Sequence, residues 1–451
     1  MLNNKKYYED QYPASLAAKH FVFALIWTFG ASLDDQSKPR FNEFLIGLIT
    51  LDWGMTSGGD NDDNEIDIKK DNQQDGVGGK NKTTSNQTNY KAASQFLTSE
   101  AFMQLLVSIT FPRGASVFDV IINESNNQWE RWASRVPVYK YDPQQPYEEI
   151  VVQTQDTVAT TTLLNMLIKS HTNILITGTT GTGKTIVVND FLHIPDIQDK
   201  SLFFQINFSA QTSAKGTQEV LEGRLTHRRS NLIGPPVGKQ GIVFVDDLNT
   251  PTPEIYFAQP PIELLRQCID QKGIYDRKKL TFIHLTETVF VAACGPPGGG
   301  RHEITQRLTR LFHTIGMPQV GTSAMTQIFS AIITGFLTNQ KPALPQTVQE
   351  LAKPLVDATV FLYNKACTTF LPTPSKSHYT FNLRDASSLV SGVLHASPGC
   401  YQIPLILVKL WSHEGCRVFR DRLIDDTDRN LFDCVLMGVL NKYYIRPEPD
   451  E

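Results

Sequence analysis

The stretch NILITGTTGTGKTIVVNDFL, residues 173–192, decides the fold of this 451-residue chain. Its middle part, GTTGTGKT, matches the pattern GxxxxGK followed by Ser or Thr. The apolar run before it predicts a strand at 174–177, and the run after it predicts a helix. Such a loop between a strand and a helix cradles phosphate groups, so we predict a nucleotide-binding loop.

Each part of this loop has a role in phosphate binding. The glycines let the backbone form a nest of N–H groups that point at phosphate oxygens. Lys184 would reach the β- and γ-phosphates, and the Thr185 hydroxyl would ligate Mg²⁺. A chance match in a turn rich in Gly and Thr is the alternative, which the flanking strand and helix disfavour. The predicted nucleotide-binding residues are Gly178, Thr179, Thr180, Gly181, Thr182, Gly183, Lys184 and Thr185.

A second predicted strand supplies acidic residues. In IVFVDD, residues 242–247, four apolar positions are followed by Asp246 and Asp247. Asp246 is the predicted Mg²⁺ ligand, acting through water, and Asp247 would orient the attacking water. The alternative is a strand ending in a polar turn, because DDLN is also favourable turn sequence. The phosphate loop about sixty residues upstream favours the magnesium interpretation.

Strands alternate with helical stretches over the middle of the chain. Short apolar runs predict further strands at 202–207, 288–294 and 311–316, and the strand at 288–294 is expected beside the phosphate-loop strand. After residue 325 the pattern is mostly helical. We therefore predict an α/β fold in which a five-stranded parallel sheet has helices on both faces and is followed by a helical lid.

Composition divides the chain and limits its function. The sequence is 41% hydrophobic and 20% charged, with net charge -4, so no global charge favours nucleic acid or a membrane. The six cysteines show no CxxC spacing and are interpreted as reduced thiols of a cytosolic protein. The predicted divisions are a helical segment (1–55), a disordered polar insert (56–93), a connecting segment (94–145), a large phosphate-loop subdomain (146–325) and a helical lid (326–451).

Three arginines and one glycine leave alternatives open. Arg307 and Arg310 lie one helical turn apart, so either is a candidate arginine finger for a neighbour's nucleotide or a solvated surface residue. Arg384 begins a lid helix, where it either closes on the γ-phosphate or pairs with Asp385 or another nearby acid. Gly295 stands at a strand end where many related ATPases carry a polar side chain.

Long segments of the chain resemble one family. INFSAQTSA, GPPVGKQGIVFVDDLNTP, AQPPIELLRQ, AACGPPGGGRHEIT, YTFNLRD and LWSHEGCRVFRDRLIDDTDR strongly resemble the third AAA+ module of axonemal dynein heavy chains. FVFALIWTFGASLD resembles the end of the preceding module's lid. The resemblance covers nearly the whole chain except the polar insert, and it implies either a fragment of a larger heavy chain or a truncated gene product.

The resemblance assigns further residues and partners. It implies ATP or ADP with Mg²⁺ as cofactors, Arg384 as sensor II, Arg310 as the better finger match with Arg307 second, and Val151 and Val152 as adenine contacts. Implied partners are neighbouring AAA+ modules, dynein intermediate and light chains, and microtubules, with neither nucleic acid nor membrane. The implied location is the cytoplasm, in the cytoskeleton of the ciliary axoneme.

Two departures from the family pattern bear on catalysis. The usual Walker B glutamate is Asp247, one methylene shorter, and the usual sensor I asparagine is Gly295. Both weaken the hydrolytic side and leave the phosphate cradle intact. We therefore expect a slow ATPase module or a regulatory module that holds nucleotide with little turnover. A P-loop kinase or helicase is a generic alternative for which the sequence offers neither an acceptor site nor a basic groove.

Overall fold

The computed structural model describes residues 14–50, 109–123, 125–229, 231–340, 343–395 and 401–444. The predicted disordered insert, 56–93, lies outside the described residues, as does the first part of the predicted connecting segment. The chain divides into two compact units, 1–131 and 132–451. None of the helices in the described ranges is long and apolar enough to cross a membrane.

The first unit contains two apolar helices within the helical segment predicted for residues 1–55. They are α1 (Ala14–Phe29) and α2 (Ser37–Thr50), and an antiparallel hairpin follows them, with strands β1 (Val120–Asn123) and β2 (Gln128–Arg131). The apolar sides of these elements bury Ile26, which has no solvent exposure. This cluster gives the first unit a hydrophobic core of its own.

A five-stranded parallel sheet forms the centre of the second unit, as predicted. Helix α3 (Gln155–Lys169) precedes this sheet. The strands are β3 (Ile174–Thr177), β4 (Ser201–Asn207), β7 (Gln240–Asp246), β10 (Thr288–Cys294) and β11 (His313–Gly316). Their order in the sheet is β11-β3-β10-β7-β4. Thr177 lies opposite Cys294, and Val245 lies opposite Ala292. The carboxyl ends of β3, β7 and β10 therefore meet at one edge, where open α/β sheets bind ligands.

Helices separate the strands of this sheet. They are α4 (Lys184–Leu192), α5 (Pro195–Lys200), α6 (Ala214–Arg224), α7 (Pro260–Asp270) and α8 (Gln306–Thr309). Prolines occupy the first turn of α7, where a missing N–H costs no helical hydrogen bond. Ile262, Leu265 and Cys268 form the buried face of α7. Val243 and Phe244 of β7 are fully buried, as the continuous apolar runs predict for strands covered on both faces.

A second sheet was not predicted from the sequence. Its strands are β5 (Thr226–Arg229), β6 (Leu232–Gly234), β8 (Gly273–Tyr275) and β9 (Phe282–Leu285), in the order β5-β6-β9-β8. Each has only three or four residues, and β5 reads THRR with no buried position. Strands this short give almost no periodic signal, which explains why sequence analysis missed them.

The region after the sheet is helical, as predicted. It comprises α9 (Thr322–Thr338), α10 (Gln346–Gln349), α11 (Ala352–Thr369), α12 (Leu383–Leu394), α13 (Pro404–Val418) and α14 (Asp426–Tyr443). One hydrophobic core joins these helices. The buried Trp411 indole donates a hydrogen bond to the Thr359 hydroxyl at 2.8 Å, so its polar group is satisfied inside this core.

Candidate nucleotide-binding site

The phosphate loop joins β3 to α4, as the sequence predicts. Gly181 and Gly183 have φ of 87° and 85°, a left-handed backbone that glycine adopts without strain. The Thr182 hydroxyl donates to the Thr179 carbonyl at 3.0 Å and closes the turn. Helix α4 begins at Lys184, so its N-terminal N–H groups lie at the loop and favour an anion there.

Lys184 lies over the loop that it belongs to. Its ammonium donates to the carbonyls of Gly178 and Thr179, each at 2.8 Å. Burial, and next the nearby Arg301 guanidinium, lowers the pKa of Lys184 below its ordinary value. Both effects disfavour the charged form. An anion placed in the loop would offset both, so the electrostatics of the site favour phosphate.

Asp246 and Thr185 contact each other across the strand edge. The Thr185 hydroxyl donates to a carboxylate oxygen of Asp246 at 2.7 Å, although the two residues are 61 positions apart. Two neighbouring oxygen donors suit Mg²⁺, which commonly takes its remaining ligands from phosphates and water. The described residues contain no cluster of three or more His, Cys, Asp or Glu that could hold a metal by themselves. These two residues therefore fit a magnesium ion shared with a nucleotide.

Asp247 has an unusual backbone and an unpredicted partner. Its φ is 50°, in the left-handed region, and its N–H donates to the Asp246 carboxylate at 3.0 Å. Its own carboxylate accepts from the Arg301 guanidinium at 3.1 Å. Sequence reasoning assigned no role to Arg301, and the only signal for it was the glycine run that precedes it in GPPGGGR.

Gly295 directly follows β10, the strand next to the phosphate-loop strand, as predicted. Its carbonyl accepts from the side-chain amide of Asn249 at 2.8 Å, and Asn249 is 1% exposed. The same amide also donates to the His302 carbonyl at 3.2 Å. Asn249 therefore joins the segment after β7 to both ends of the loop that follows β10. Sequence reasoning also missed this residue.

A cavity of about 700 Å³ lies next to the phosphate loop, and residues of the lid form part of its wall. Val151 and Val152, the predicted adenine contacts, both line it, and Val152 is 8% exposed. Apolar residues from the sheet domain and the lid form much of the lining, including Ile186, Pro318, Ile328 and Ile332. An apolar cavity beside a phosphate loop suits the flat face of a nucleobase.

Arg384 reaches both cavities from the start of α12. It lines the cavity of about 700 Å³ and a second one of about 230 Å³ that also touches Lys184 and Asp246. Asp385, the alternative partner, accepts from the Arg422 guanidinium at 3.0 Å instead. No ion pair of Arg384 is found within the described ranges. The contacts thus disfavour the helix-start ion pair that the sequence left open.

Arg307 and Arg310 both lie on the surface at α8. Arg307 pairs with Glu263 at 3.1 Å, and Arg310 pairs with Asp270 at 3.5 Å. Their side chains are 69% and 63% exposed. Neither lines the cavities described above. Both are therefore available to a neighbouring molecule or domain, and neither is part of the site within this unit.

Together, the fold and the site define a class of protein. The sheet carries a phosphate loop after β3, acids after β7, β10 between those two strands, and a helical lid that contributes to the nucleotide cavity. This is the arrangement of a P-loop nucleotide-binding domain of the AAA+ class.

Comparison with known protein families agrees with this class and narrows it. Residues 139–320 match the P-loop containing dynein motor region, 355–448 match the AAA+ lid domain, and 2–74 match the dynein heavy chain AAA lid domain. The chain is similar to human dynein axonemal heavy chain 6 (39% identity, 74% of this chain and 8% of the relative). It is also similar to dynein axonemal heavy chain 1 of Mus musculus (40% identity, 75% and 8%) and of Homo sapiens (34%, 94% and 9%).

The chain belongs to the axonemal dynein heavy chain family. It spans less than a tenth of the length of these three relatives.

Proposed function

We propose that this chain is an ATP-binding AAA+ module of a dynein-type microtubule motor, which gates movement by holding nucleotide and hydrolyses it slowly. The observation that carries the proposal is the contrast within one cavity of about 230 Å³. Lys184, Thr185 and Asp246 line it in the arrangement that phosphate and Mg²⁺ need, whereas Asp247 is paired with Arg301. Binding is thus favoured over turnover.

The binding side acts through fixed groups. The loop N–H groups and the α4 N-terminus bind phosphate oxygens, and Lys184 transfers its hydrogen bonds from loop carbonyls to the β- and γ-phosphates. Thr185 and Asp246 would hold Mg²⁺, which would supply positive charge against the phosphates. Val151 and Val152 pack against the adenine in the larger cavity, and Arg384 closes the lid onto the phosphates.

The hydrolytic side is weak for two reasons. Asp247 is one methylene shorter than the usual glutamate, and its carboxylate is held by Arg301 at 3.1 Å, so it sits back from an attacking water. Gly295 offers no side chain to orient that water. The same pair of residues supports a second candidate function, a regulatory module that holds nucleotide without hydrolysing it. Single-turnover measurement of bound ATP separates slow hydrolysis from none.

The role of the module depends on a longer heavy chain. We infer that the chain contains the third AAA+ module, preceded by the lid of the second. The proposed divisions are a remnant of that preceding lid (1–55), a polar insert (56–93), a connecting segment (94–145), the large subdomain (146–325) and the helical lid (326–451). Arg310, or else Arg307, would serve as the arginine finger for a neighbouring module's nucleotide. The full heavy chain would bind dynein intermediate chains, light chains and microtubules. The motor would move toward the minus end of microtubules in the ciliary axoneme.

Calorimetry with the 451-residue chain tests the binding assignment. We expect Lys184→Ala to weaken ATP binding by at least about a hundredfold, because the phosphates lose their main buried cation. Lys215→Ala, at an exposed position of α6, is the matched control and should bind as the unaltered chain does. Equal affinity in Lys184→Ala and the unaltered chain, with both folded, would reject the assignment.

A further inference from the structure

A tight turn brings Arg301 back over Gly295. Gly298, Gly299 and Gly300 all have positive φ, which glycine alone adopts freely. Gly298 and Arg301 exchange two backbone hydrogen bonds, at 2.9 and 3.1 Å. The turn is therefore fixed by the backbone, and its geometry determines where the Arg301 side chain starts.

The Arg301 side chain fills the space that a side chain at position 295 would enter. A Cβ built on Gly295 would lie 3.0 Å from both Cδ and Nε of Arg301. Contacts this short are tighter than side chains normally accept, so residue 295 and Arg301 compete for one place. The position of the Arg301 side chain therefore depends on glycine at position 295.

The guanidinium bridges the two parts of the site that act on a terminal phosphate. One terminal nitrogen donates to the Thr180 hydroxyl of the phosphate loop at 3.2 Å. The other donates to the Asp247 carboxylate at 3.1 Å. The Nε atom is buried and has no hydrogen-bond partner in the described part of the chain. The group therefore keeps unused donors in a partly buried position, since its side chain is 24% exposed.

Arg301 also lines the cavity of about 230 Å³, together with Lys184 and Arg384. The carboxylates of Asp246 and Asp247 line it too, so three cations face two anions. The lining keeps a net positive charge, which suits a phosphate group. The planar fork of arginine binds phosphate and carboxylate oxygens through paired hydrogen bonds, which lysine cannot do.

We propose that Arg301 takes the place of the missing side chain at Gly295 and senses the terminal phosphate of a nucleoside triphosphate while it holds Asp247. The inference rests on the proposed function, because it requires nucleotide in this cavity. In this role the guanidinium binds the γ-phosphate and at the same time holds the Asp247 carboxylate back from an attacking water. The site then distinguishes a triphosphate from a diphosphate by a contact within this one module.

The test compares two nucleotides on the folded chain. Calorimetry with ATPγS and with ADP gives an affinity ratio for the unaltered chain and for Arg301→Gln. We expect ATPγS affinity to fall about tenfold, as for loss of one charge-assisted hydrogen bond, while ADP affinity stays within about twofold. Arg301→Lys should recover only part of the ratio, because it keeps the charge and loses the fork.

Controls separate this role from a structural one. Arg277→Gln removes an exposed arginine that also pairs with an acid, Glu219, at 2.7 Å, and it should leave both affinities unchanged. An equal loss for both nucleotides in Arg301→Gln, or no loss for either, would overturn the inference. If the unaltered chain binds neither nucleotide, the proposed function fails as well, so the two failures are distinguishable.

A second variant uses the competition for space. In Arg301→Ala the guanidinium is gone, and adding Gly295→Asn places an amide where the family pattern has one. We expect the double variant to regain part of the preference for ATPγS over ADP that Arg301→Ala loses. Gly295→Asn alone should lower the thermal midpoint, because its Cβ meets Arg301. If the folded double variant does not regain any preference for ATPγS over ADP, then a side chain at position 295 does not take the place of Arg301.

Discussion

The two sides of the candidate site are built differently, although they share one cavity. On the loop side, the Lys184 ammonium donates to loop carbonyls and the α4 N-terminus lies at the loop, so an anion improves the electrostatics there. On the opposite side, the Asp247 carboxylate pairs with the Arg301 guanidinium at 3.1 Å. The loop side thus favours an added negative charge, whereas the opposite side contains an internal ion pair. The difference teaches that binding and turnover can be set by separate residues.

The largest expected effect comes from breaking the loop side at its metal ligand. Asp246→Asn should lower Mg²⁺-dependent ATP affinity by about a hundredfold, because the carboxylate that faces the Thr185 hydroxyl is lost. With EDTA present, the variant and the unaltered chain should bind alike in calorimetry. Asp196→Asn, an exposed acid on α5, is the control. A loss that persists without metal would assign Asp246 a role in folding instead.

A smaller effect should follow from strengthening the opposite side. Asp247→Glu restores the missing methylene, and we expect turnover at this site to rise about tenfold in a heavy chain with its complete ring. The rate of phosphate release, measured with the other sites inactivated, gives the result. Asp247→Asn, which removes the charge, serves as the comparison and should not increase turnover. A lower rate in Asp247→Glu would mean that the aspartate is already well placed.

The smallest effect concerns the lid wall of the larger cavity. Gly392 of α12 closely approaches the Glu414 carboxylate, and Glu414 in turn pairs with Arg417 at 2.7 Å. Gly392→Ala should displace this pair, lower the free energy of unfolding by about 1–3 kcal/mol and weaken both ATP and ADP by a few fold.

A matched glycine makes this prediction specific. Gly438 lies in α14 with nothing within 4 Å of the position that a Cβ would take. Gly438→Ala should therefore stabilise the chain, by up to about 1 kcal/mol, through helix propensity alone. Chemical denaturation measures both variants. If Gly392→Ala does not lower the free energy of unfolding, the Glu414 contact does not limit the lid wall.

Sequence alone predicts the loop side well. The pattern GTTGTGKT and the acids after IVFV are local, and each follows a continuous apolar strand that periodicity detects. The parallel order of β3, β10 and β7 then places them together. The five-stranded parallel sheet and the helical lid were predicted correctly for the same reason, since long apolar segments carry a strong signal.

The opposite side was not predictable from the same signals. Arg301 contacts Asp247 from 54 positions away in the sequence. The turn before Arg301 has three glycines with positive φ, and the periodicity of apolar residues does not predict such a turn. Asn249 contacts Gly295 from 46 positions away. The ion pair between Arg384 and Asp385, which the sequence left open as an alternative, is absent from the described residues, where Asp385 instead accepts from Arg422 in another part of the lid. Such tertiary contacts override neighbouring residues in the sequence.

The nucleotide content of the purified chain tests the central claim most directly. Mass spectrometry after gentle denaturation should find close to one ADP or ATP per chain, retained because the loop side binds and the opposite side turns over slowly. The Lys184→Ala variant, purified in the same way, should carry almost none. A folded, unaltered chain without nucleotide that also fails to bind added ATP would contradict the account, as would equal nucleotide content in the two proteins.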